Sequence, residues 1–315
     1  MSAQVDVLSE IFTVSMPVFV MVIVGMVLKR VRLIDDAFIG TSSTLTFKAL
    51  MPALLFFGIM QADLHTALQP KLIGYFYLAT LLTFAVSWLW SLKAVPTVQR
   101  GVYVQGAFRG NCGIVSLALA TSLYGDYGLS IGGVMAGLVI ILFNVLSVIV
   151  LAIYSTSYQA DLRSVLRDMA RNPLILSVLA GLVASLVGLK LPAWLLVSVK
   201  YFTSMTLPLA LICVGGSMSL TSFIDSGRVA FSASLIKVLW SPLLFVALAW
   251  AIGFRDKDLG MLLLFLASPT AAASYVMARA TGSDAKLAAN IIAVSTALSI
   301  VTIMGGLFLL QHFAL

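Results

Sequence analysis

Long apolar runs dominate this chain and limit what it can fold into. Ten of them follow one another along the 315 residues. Each approaches the roughly 20 residues that a helix needs to cross a bilayer, whereas a β-barrel strand is about half as long and alternates in polarity. We therefore predict an all-α polytopic membrane protein with ten transmembrane helices. The runs cover residues 11–28, 38–60, 71–92, 101–123, 129–154, 173–189, 193–218, 229–252, 259–280 and 285–312.

Composition excludes the other broad classes. Hydrophobic residues make up 61% of the chain and charged residues only 10%, whereas a soluble domain has about a quarter charged residues and a disordered chain has low hydrophobicity. The net charge of +7 comes from 19 basic and 12 acidic residues that are scattered over the loops and a few positions inside the runs. No basic tract is present to hold a phosphate backbone, so the expected partner is the lipid bilayer and not nucleic acid.

The distribution of lysine and arginine predicts the orientation. If the runs alternate across the membrane, eleven basic residues fall on one side and four on the other, and the basic side is expected to be cytoplasmic. Both termini are then periplasmic in a bacterial inner (plasma) membrane, and the longest loop, 155–172, is cytoplasmic. The amino terminus lacks the basic region of a cleaved signal peptide, so we expect the first helix to be retained.

An internal repeat appears when the chain is shifted by 156 positions. We predict a first five-helix repeat over residues 1–154, a cytoplasmic linker over 155–172 and a second repeat over 173–315. Because five is odd, the second repeat enters the membrane from the opposite side, which gives inverted repeats. The matched pairs are Pro17 with Pro173, Gly25 with Gly181, Leu33 with Leu189 and Pro52 with Pro208.

Inverted repeats favour a secondary transporter. Exchanging the conformations of the two halves opens a central site first to one side and then to the other. A channel needs no such symmetry. The sequence has no Cys/His ligand cluster, no nucleophile motif and no phosphate-binding glycine loop, so enzyme chemistry, a metal and a cofactor are not expected.

Two of the runs carry helix-breaking residues at equivalent places in the two repeats. The fourth contains Arg109-Gly110-Asn111-Cys112-Gly113, and the ninth contains Ser268-Pro269-Thr270. Glycine and proline weaken a helix, and interrupted helices line the substrate site in transporters of this kind. The alternative is a simple kink. Asn111 offers both a donor and an acceptor beside the break, although such an asparagine also serves as a contact between helices.

Charge inside the runs indicates the class of substrate. All twelve carboxylates fall in loops or at run ends, whereas four basic residues, Lys48, Arg109, Lys200 and Lys237, fall within runs. An unpaired cation in lipid is costly, so an organic anion is the simplest ligand that explains why the charges inside the runs are all positive. Arg109 suits a carboxylate because its guanidinium is a planar fork.

The three lysines have alternative explanations. Lys48 precedes Pro52 and Lys237 precedes Pro242, so each fits either the site or the carbonyl groups that a proline leaves unpaired. Lys200 lies near the end of its run, where its side chain can reach the membrane interface.

The ordered set of motifs resembles the auxin efflux carrier family, in its bacterial branch related to the plant PIN proteins. The resemblance runs from end to end. Its motifs are Pro17 to Gly25 with Leu28-Lys29-Arg30, Lys48-Ala-Leu-Met-Pro52-Ala-Leu-Leu-Phe, Asn111-Cys-Gly113, Asn172-Pro173 to Gly181, Pro208-Leu-Ala-Leu to Gly215, Lys237 to Pro242, Ser268-Pro269-Thr-Ala-Ala, and Ser295-Thr296-Ala-Leu-Ser299-Ile-Val-Thr302.

The resemblance implies a bile-acid-symporter-like fold and a homodimer. Spans 1, 2, 6 and 7 would form a scaffold, spans 3–5 and 8–10 would move as an elevator, and broken spans 4 and 9 would cross at the site. Substrates in the family are organic acids such as auxin, malonate or malate. The carboxylate site carries over to Asn111, Gly113, Pro269 and Thr270. Two family features are missing: Ala118 stands where span 4 usually has a proline, and no acidic residue lies between Lys71 and Lys93.

The sequence thus predicts a transporter of a small organic anion. Candidate substrate-binding residues are Arg109, Gly110, Asn111, Gly113, Pro269, Thr270, Lys48 and Lys237. The alternatives are a sodium-coupled symporter of the bile-acid type, an anion channel and, least supported, a membrane enzyme. No carboxylate relay for protons is visible inside the runs, whereas sodium held by carbonyl, Asn, Ser or Thr oxygens fits the sequence.

Overall fold

A computed structural model describes residues 2–61, 69–155, 171, 173–189, 191–218 and 227–313, and this part of the chain contains helices and no strand. Most of the predicted linker, 156–170 and 172, lies outside the described residues. The helices are α1 (Ser2–Arg30), α2 (Asp36–Leu45), α3 (Met51–Met60), α4 (Pro70–Ala94), α5 (Thr97–Phe108), α6 (Leu117–Tyr154), α7 (Pro173–Leu186), α8 (Ala193–Ser204), α9 (Thr206–Ser217), α10 (Arg228–Leu235), α11 (Ser241–Ala251), α12 (Asp256–Leu266), α13 (Ala273–Ala280) and α14 (Ala285–His312).

Helical structure lies in every one of the predicted apolar runs. Among the described residues, six helical segments are long and apolar enough to cross a membrane, and the shorter α7 is also apolar. The chain is therefore a polytopic helical membrane protein. The six segments are Asp36–Met60, Pro70–Ala94, Cys112–Tyr154, Ala193–Ser217, Arg228–Ala251 and Ala285–His312.

Three π-helical turns occur in the described part of the chain: Thr46–Leu50, Cys112–Ser116 and Ile236–Trp240. The first and third join two α-helices without a break, whereas the second begins after the non-helical residues 109–111. The first and third precede Pro52 and Pro242. A proline has no N–H for the carbonyl four residues earlier, and the backbone adapts by shifting one bond to the fifth residue. The amide of Ser241 accordingly donates to the carbonyl of Ile236. Each of these two turns carries a lysine, Lys48 or Lys237.

The closest helix pairs form two groups that are in contact with each other, since α1 lies against α6 and α14, and α3 and α7 lie against α6. In the first, α1 lies against α9 and α3 against α7. In the second, α4, α5 and α6 pack in succession, and α10 packs on α5 and α14. Aromatic rings fill the second group: Phe108, at the end of α5, contacts Phe84 and Phe143 edge to face, at centroid distances of 5.2 and 5.9 Å. The end of α5 is thereby fixed on two sides.

Glycines allow the helices of the first group to approach closely. A Cβ atom added at Gly25 of α1 would overlap the backbone of Ile212, and one added at Gly181 of α7 would lie 2.9 Å from the carbonyl oxygen of Phe56. Small residues at such contacts are common where membrane helices pack, because dispersion and not water provides the attraction.

Replacement of Gly25 by alanine is expected to destabilise the first group. The new methyl meets rigid backbone, which must shift at a cost of about 1–3 kcal/mol. The measurement is thermal unfolding of the purified protein in detergent, in which Gly25→Ala should melt several degrees below the wild type. Gly40→Ala is the matched control, since nothing lies within 4 Å of that added atom. Equal melting temperatures for the two variants would contradict the packing described here.

Candidate functional site at the helix crossover

Two interrupted helices cross near the middle of the protein. The chain is non-helical at residues 109–111, between α5 and the Cys112–Ser116 turn, and again at residues 267–272, between α12 and α13. The two segments form an isolated antiparallel bridge between Gly110 and Thr270. The amide of Asn111 donates to the carbonyl of Pro269 over 2.8 Å, and the amide of Ala271 donates to that of Arg109 over 3.0 Å. Both predicted helix breaks are confirmed, and they meet.

The helices that lead to the crossover are each about half as long as a bilayer core is thick. The 12 residues of α5 and the 11 of α12 correspond to roughly 18 and 17 Å of helix at 1.5 Å per residue. Irregular backbone inside a membrane is stable only where its polar groups are paired or face a cavity. Here the pairing comes partly from Thr270, whose hydroxyl donates to the carbonyl of Gly106 over 2.7 Å and whose amide donates to the hydroxyl of Ser295 over 3.0 Å.

Arg109 points away from the bridge into a pocket of neutral side chains. Its Nη1 donates to the Ser147 hydroxyl over 3.0 Å and to the Met277 sulfur over 3.0 Å, and its Nη2 donates to the Asn144 side-chain oxygen over 2.9 Å. The side chain is buried and its Nε has no hydrogen-bond partner. No carboxylate belongs to this pocket among the described contacts, so the guanidinium lies beside the crossover without a counter-charge.

Lys237 approaches the crossover from the π turn between α10 and α11. Its Nζ donates to the carbonyl oxygen of Leu266, the last residue of α12, over 2.5 Å. Its Cε lies 3.2 Å from the position that a Cβ on Gly110 would occupy. Lys237 is buried. The sequence left two roles open for Lys237, in the site or as a cap for the carbonyl groups that Pro242 leaves unpaired. The second is not observed, because the Lys237 Nζ donates to a carbonyl group of another helix, α12.

One side of the crossover is accessible. Gly113 and Ala272 are half-buried and Ala273 is exposed, at the points where the second halves of the two broken helices begin. Asn111 directly precedes the first of these helix starts and is itself buried, and no hydrogen bond of its side chain is observed in the described part of the chain. The first amides of a helix have no partner within it, and a helix N-terminus carries a partial positive charge. This face therefore combines two such ends with an uncommitted amide side chain.

The remaining predicted site residues behave differently. Lys48 is exposed on its π turn, in the middle of the segment Asp36–Met60, and no contact joins it to the crossover among the described residues. Helix α3 does reach the site, because the Met51 Cε lies 3.7 Å from a Cβ placed on Gly113. Lys200 is exposed near one end of Ala193–Ser217, and its position at the membrane interface stays a prediction. The structure thus brings together Arg109, Gly110, Asn111, Gly113, Pro269, Thr270 and Lys237 but leaves Lys48 outside.

Several polar residues around the crossover were not recognised from the sequence. Asn144, Ser147 and Met277 surround Arg109, and Ser295 supports Thr270. The Gln105 side chain, which contacts the Met277 sulfur, keeps a buried oxygen without a partner. All are single polar or thioether residues in apolar runs. The one available signal was spacing, since Asn144 and Ser147 are three residues apart and share a face of α6.

Comparison with known proteins identifies the family. A family model described as "Membrane transport protein" matches residues 10–160 and 156–305. An uncharacterised transporter of Methanocaldococcus jannaschii is 25% identical over 203 residues, which cover 62% of this chain and 63% of that protein, slightly less than two thirds of its length. An uncharacterised transporter of Methanothermobacter thermautotrophicus is 22% identical over 290 residues, 91% of this chain and 94% of that protein.

Both relatives are named as transporters and not as enzymes. The match of the family model extends over most of the sequence and agrees with the resemblance inferred from the motifs. The chain therefore belongs to the membrane transport protein family, that of the auxin efflux carriers.

Proposed function

We propose that this transporter carries a small organic anion, such as malonate, malate or an auxin-like acid, and binds its carboxylate at the crossover. The observation that carries the proposal is the electrostatic character of the site. Two helices begin at Cys112 and Ala273, just after the paired segments of the crossover, and two buried cations belong to the same region: Arg109 is part of the first segment and Lys237 lies beside Gly110. Among the described residues, no aspartate or glutamate is buried.

The sign of the site follows from this inventory. Two helix N-termini contribute a partial charge of about +0.5 each, and a buried cation without a carboxylate partner is costly unless an anion arrives. A cationic substrate would find no compensating charge. A neutral substrate would leave the cost of both basic side chains uncompensated. A carboxylate suits the accessible face because it accepts hydrogen bonds from backbone amides and from the side chain of Asn111.

Residue-level contacts support an inverted repeat, on which alternating access would depend. Gly25 contacts Ile212, and the same contact shifted by 156 in opposite directions joins Gly181 to Phe56, which is also observed. The Thr206 hydroxyl donates to the carbonyl of Leu50, exactly 156 residues away. A two-fold axis between the repeats explains both observations. It exchanges Gly25 with Gly181 and Ile212 with Phe56, so that one contact implies the other.

An elevator mechanism requires a fixed part and a mobile part, and we assign these to the two groups of helices. The group containing α1, α3, α7 and α9 would be the fixed scaffold, and the group containing the crossover would move. We propose that the chain crosses a bacterial inner membrane ten times, with both termini periplasmic. We also propose that it forms a homodimer in which the scaffold stays fixed. Cysteines introduced at loop positions and labelled from one side of intact cells would test the orientation.

The test of the substrate class is a thermal-shift screen of mono- and dicarboxylates on purified protein, followed by uptake into proteoliposomes. A ligand raises the melting temperature because it binds only the folded state. We expect at least one small carboxylate to stabilise the protein and to be taken up in exchange for internal carboxylate. If amines or sugars stabilise the protein and no carboxylate does, the proposal is wrong.

Exchange also distinguishes a transporter from an anion channel. A transporter saturates at modest substrate concentration and exchanges internal for external substrate, whereas a channel passes current that continues to rise. Saturable exchange without current supports the transporter. A sodium-coupled symporter differs from both in that uptake stops when sodium is replaced by choline.

A further inference from the structure

We infer that this protein binds an anionic phospholipid, with one acyl chain in a groove between α4 and the α10–α11 pair and the phosphate beside Lys93 and Arg228. The groove has a volume of about 320 Å³, which is within the range of sites for small ligands. Its described lining contains no residue of the crossover segments. The inference therefore adds a second site, and it does not depend on which substrate is carried.

Two apolar stripes form the walls of the groove. Along each wall the side chains are four residues apart, the spacing that places them on one face of a helix. Most of them are exposed, and they belong to two segments that are long and apolar enough to cross a membrane. Such faces meet hydrocarbon in a bilayer. The stripes are Leu82, Val86 and Trp90 on one wall and Ile236, Trp240 and Leu244 on the other.

The three hydroxyl groups that line the groove are already paired within the protein. The Thr83 and Ser241 hydroxyls, which join the two walls, lie 3.0 Å apart and share a hydrogen bond. The Ser232 hydroxyl lies 3.2 Å from that of Tyr103. A cavity whose polar groups do not need water stays dry or takes an apolar ligand. A hydrocarbon chain fits the groove for this reason, whereas a sugar or an ion does not.

The length of the groove matches one leaflet of a bilayer. The groove extends along α4 from Leu82 to Trp90 and along the facing wall from Ser232 to Phe245. These stretches correspond to roughly 12 and 20 Å at 1.5 Å per residue. A hydrocarbon core about 30 Å thick gives each leaflet about 15 Å. One acyl chain therefore fills the groove from the middle of the membrane to its surface.

The two walls are antiparallel, which identifies the end of the groove at the membrane surface. The Tyr75 hydroxyl donates to the carbonyl of Phe245, and Thr83, further along α4, meets Ser241, which precedes Phe245. In the same direction, the carboxyl end of α4 approaches the amino end of α10. Both are ends of segments that are able to cross a membrane, so this end of the groove lies at the lipid headgroups.

Two basic residues are placed at that end. Lys93 follows Trp90 by three residues and Arg228 precedes Ser232 by four, so each shares a helix face with the groove. Both are exposed, and among the described residues neither forms an ion pair with a carboxylate. Basic residues at a membrane surface attract anionic headgroups, and tryptophan is enriched at the same depth. The groove thus has an apolar body and a positive end, as a phospholipid requires.

The first experiment titrates the purified protein in detergent with phosphatidylglycerol or phosphatidylcholine that carries bromine on its acyl chains. Bromine quenches the fluorescence of a tryptophan that it contacts, and both Trp90 and Trp240 line the groove. We expect half-maximal quenching at an about tenfold lower concentration of the anionic lipid, since two basic side chains attract its phosphate. Equal quenching by the two lipids would overturn the inference.

Paired tryptophan variants locate the quenching. Trp90→Phe combined with Trp240→Phe should lose most of the saturable signal. Trp194→Phe combined with Trp250→Phe is the matched control, because those two residues are also exposed but do not line the groove. If the control pair loses the signal instead, the lipid binds elsewhere and the inference is wrong.

The charged end is tested by Lys93→Gln combined with Arg228→Gln, which should reduce the preference for phosphatidylglycerol to about twofold or less. Arg30→Gln combined with Arg32→Gln removes the same charge from exposed positions at the end of α1, and it should keep the tenfold preference. Loss of the preference in both double variants would indicate a general effect of surface charge and would refute the site. Soluble glycerol phosphate should not change the melting temperature, and a rise would show that the acyl chain is not needed.

The apolar body is tested by Val86→Phe, which fills part of the groove. The increase in melting temperature that phosphatidylglycerol causes in the wild type should be lost in this variant and kept in Leu89→Phe, a change at an exposed position of α4 outside the groove. Light scattering after size-exclusion chromatography measures the number of copies in each particle. If Val86→Phe changes that number and leaves the lipid response intact, the groove is a contact between copies and the inference is wrong.

Discussion

Replacement of Arg109 by alanine is expected to weaken carboxylate binding by about 10- to 100-fold, as for the loss of a charged group worth about 1.5–3 kcal/mol. The guanidinium lies behind the crossover with three neutral partners and no carboxylate. Its charge is therefore available to a bound anion, and burial keeps that charge from being screened. Titration of the purified variant with malonate, followed by the change in melting temperature or by calorimetry, measures the effect.

Lys200→Ala is the control for Arg109→Ala. It removes the same charge from an exposed position near the end of its helical segment, and its affinity for malonate should stay within about twofold of the wild type, since exposed charges contribute little. Arg109→Lys keeps the charge but cannot donate to Ser147 and Asn144 with the same fork, and it should fall between the two. Equal affinities of Arg109→Ala and Lys200→Ala would remove Arg109 from the site.

The folded state should survive Arg109→Ala. The variant exposes no buried anion, because the pocket contains only a hydroxyl, an amide and a thioether around the guanidinium. Breaking a buried ion pair is damaging chiefly because it leaves the other charge alone, and that cost does not arise here. The melting temperature without ligand should accordingly change by only a few degrees while the shift induced by malonate is lost.

Replacement of Gly110 by alanine is expected to abolish transport. The added methyl would overlap the hydroxyl of Ser268 and would lie 3.1 Å from the Cys112 sulfur and 3.2 Å from the Lys237 Cε. The bridge to Thr270 holds Gly110 in place. The added methyl therefore forces the two crossing segments apart, or breaks the hydrogen bonds that Ser268 and Lys237 donate to the carbonyl groups at the end of α12. Uptake into proteoliposomes should fall at least about 100-fold, comparable to a loss of about 3 kcal/mol at the site.

Gly74→Ala provides the matched comparison, because nothing lies within 4 Å of a Cβ at that position in α4. Alanine is favoured over glycine inside a helix, so this variant should transport normally and melt at the same temperature or higher. Normal uptake by Gly110→Ala, with the protein folded, would show that the two segments do not need to lie as close as described.

Much of the fold follows from the sequence because the membrane imposes a simple rule. Apolar length placed helical structure in each predicted run, since a bilayer requires each crossing segment to satisfy its own backbone. The bounds are less accurate: α1 begins at Ser2 instead of residue 11, and the predicted fourth and fifth runs are joined in one segment, Cys112–Tyr154, that turns at Gly125. The helix breaks followed from Gly110, Gly113 and Pro269, whose effects on a helix are local. The helix resumes at Cys112 as a π turn, so the missing proline near Ala118 does not prevent the break.

The partners of the buried cations did not follow from the sequence. Whether Arg109 meets Ser147 or reaches the membrane interface depends on how α6 and α13 are rotated about their axes, and an apolar run carries little information about rotation. Lys237 illustrates the same limit, because its bond to Leu266 depends on the π turn. The position of Lys48 outside the crossover is a third example. The ligands at the site, the ten-span inverted topology and the homodimer stay predictions.

The polar first half of the segment Asp36–Met60 bears on how the chain enters the membrane during synthesis. Lys48 lies at its centre and is exposed, and on insertion scales such a lysine costs about 2.5–3.5 kcal/mol. Helix α3, which follows and is almost wholly apolar, provides the compensating free energy of transfer. We therefore expect the segment to be integrated as a unit by its second half, and a nascent chain that ends before Met51 to insert poorly at this span.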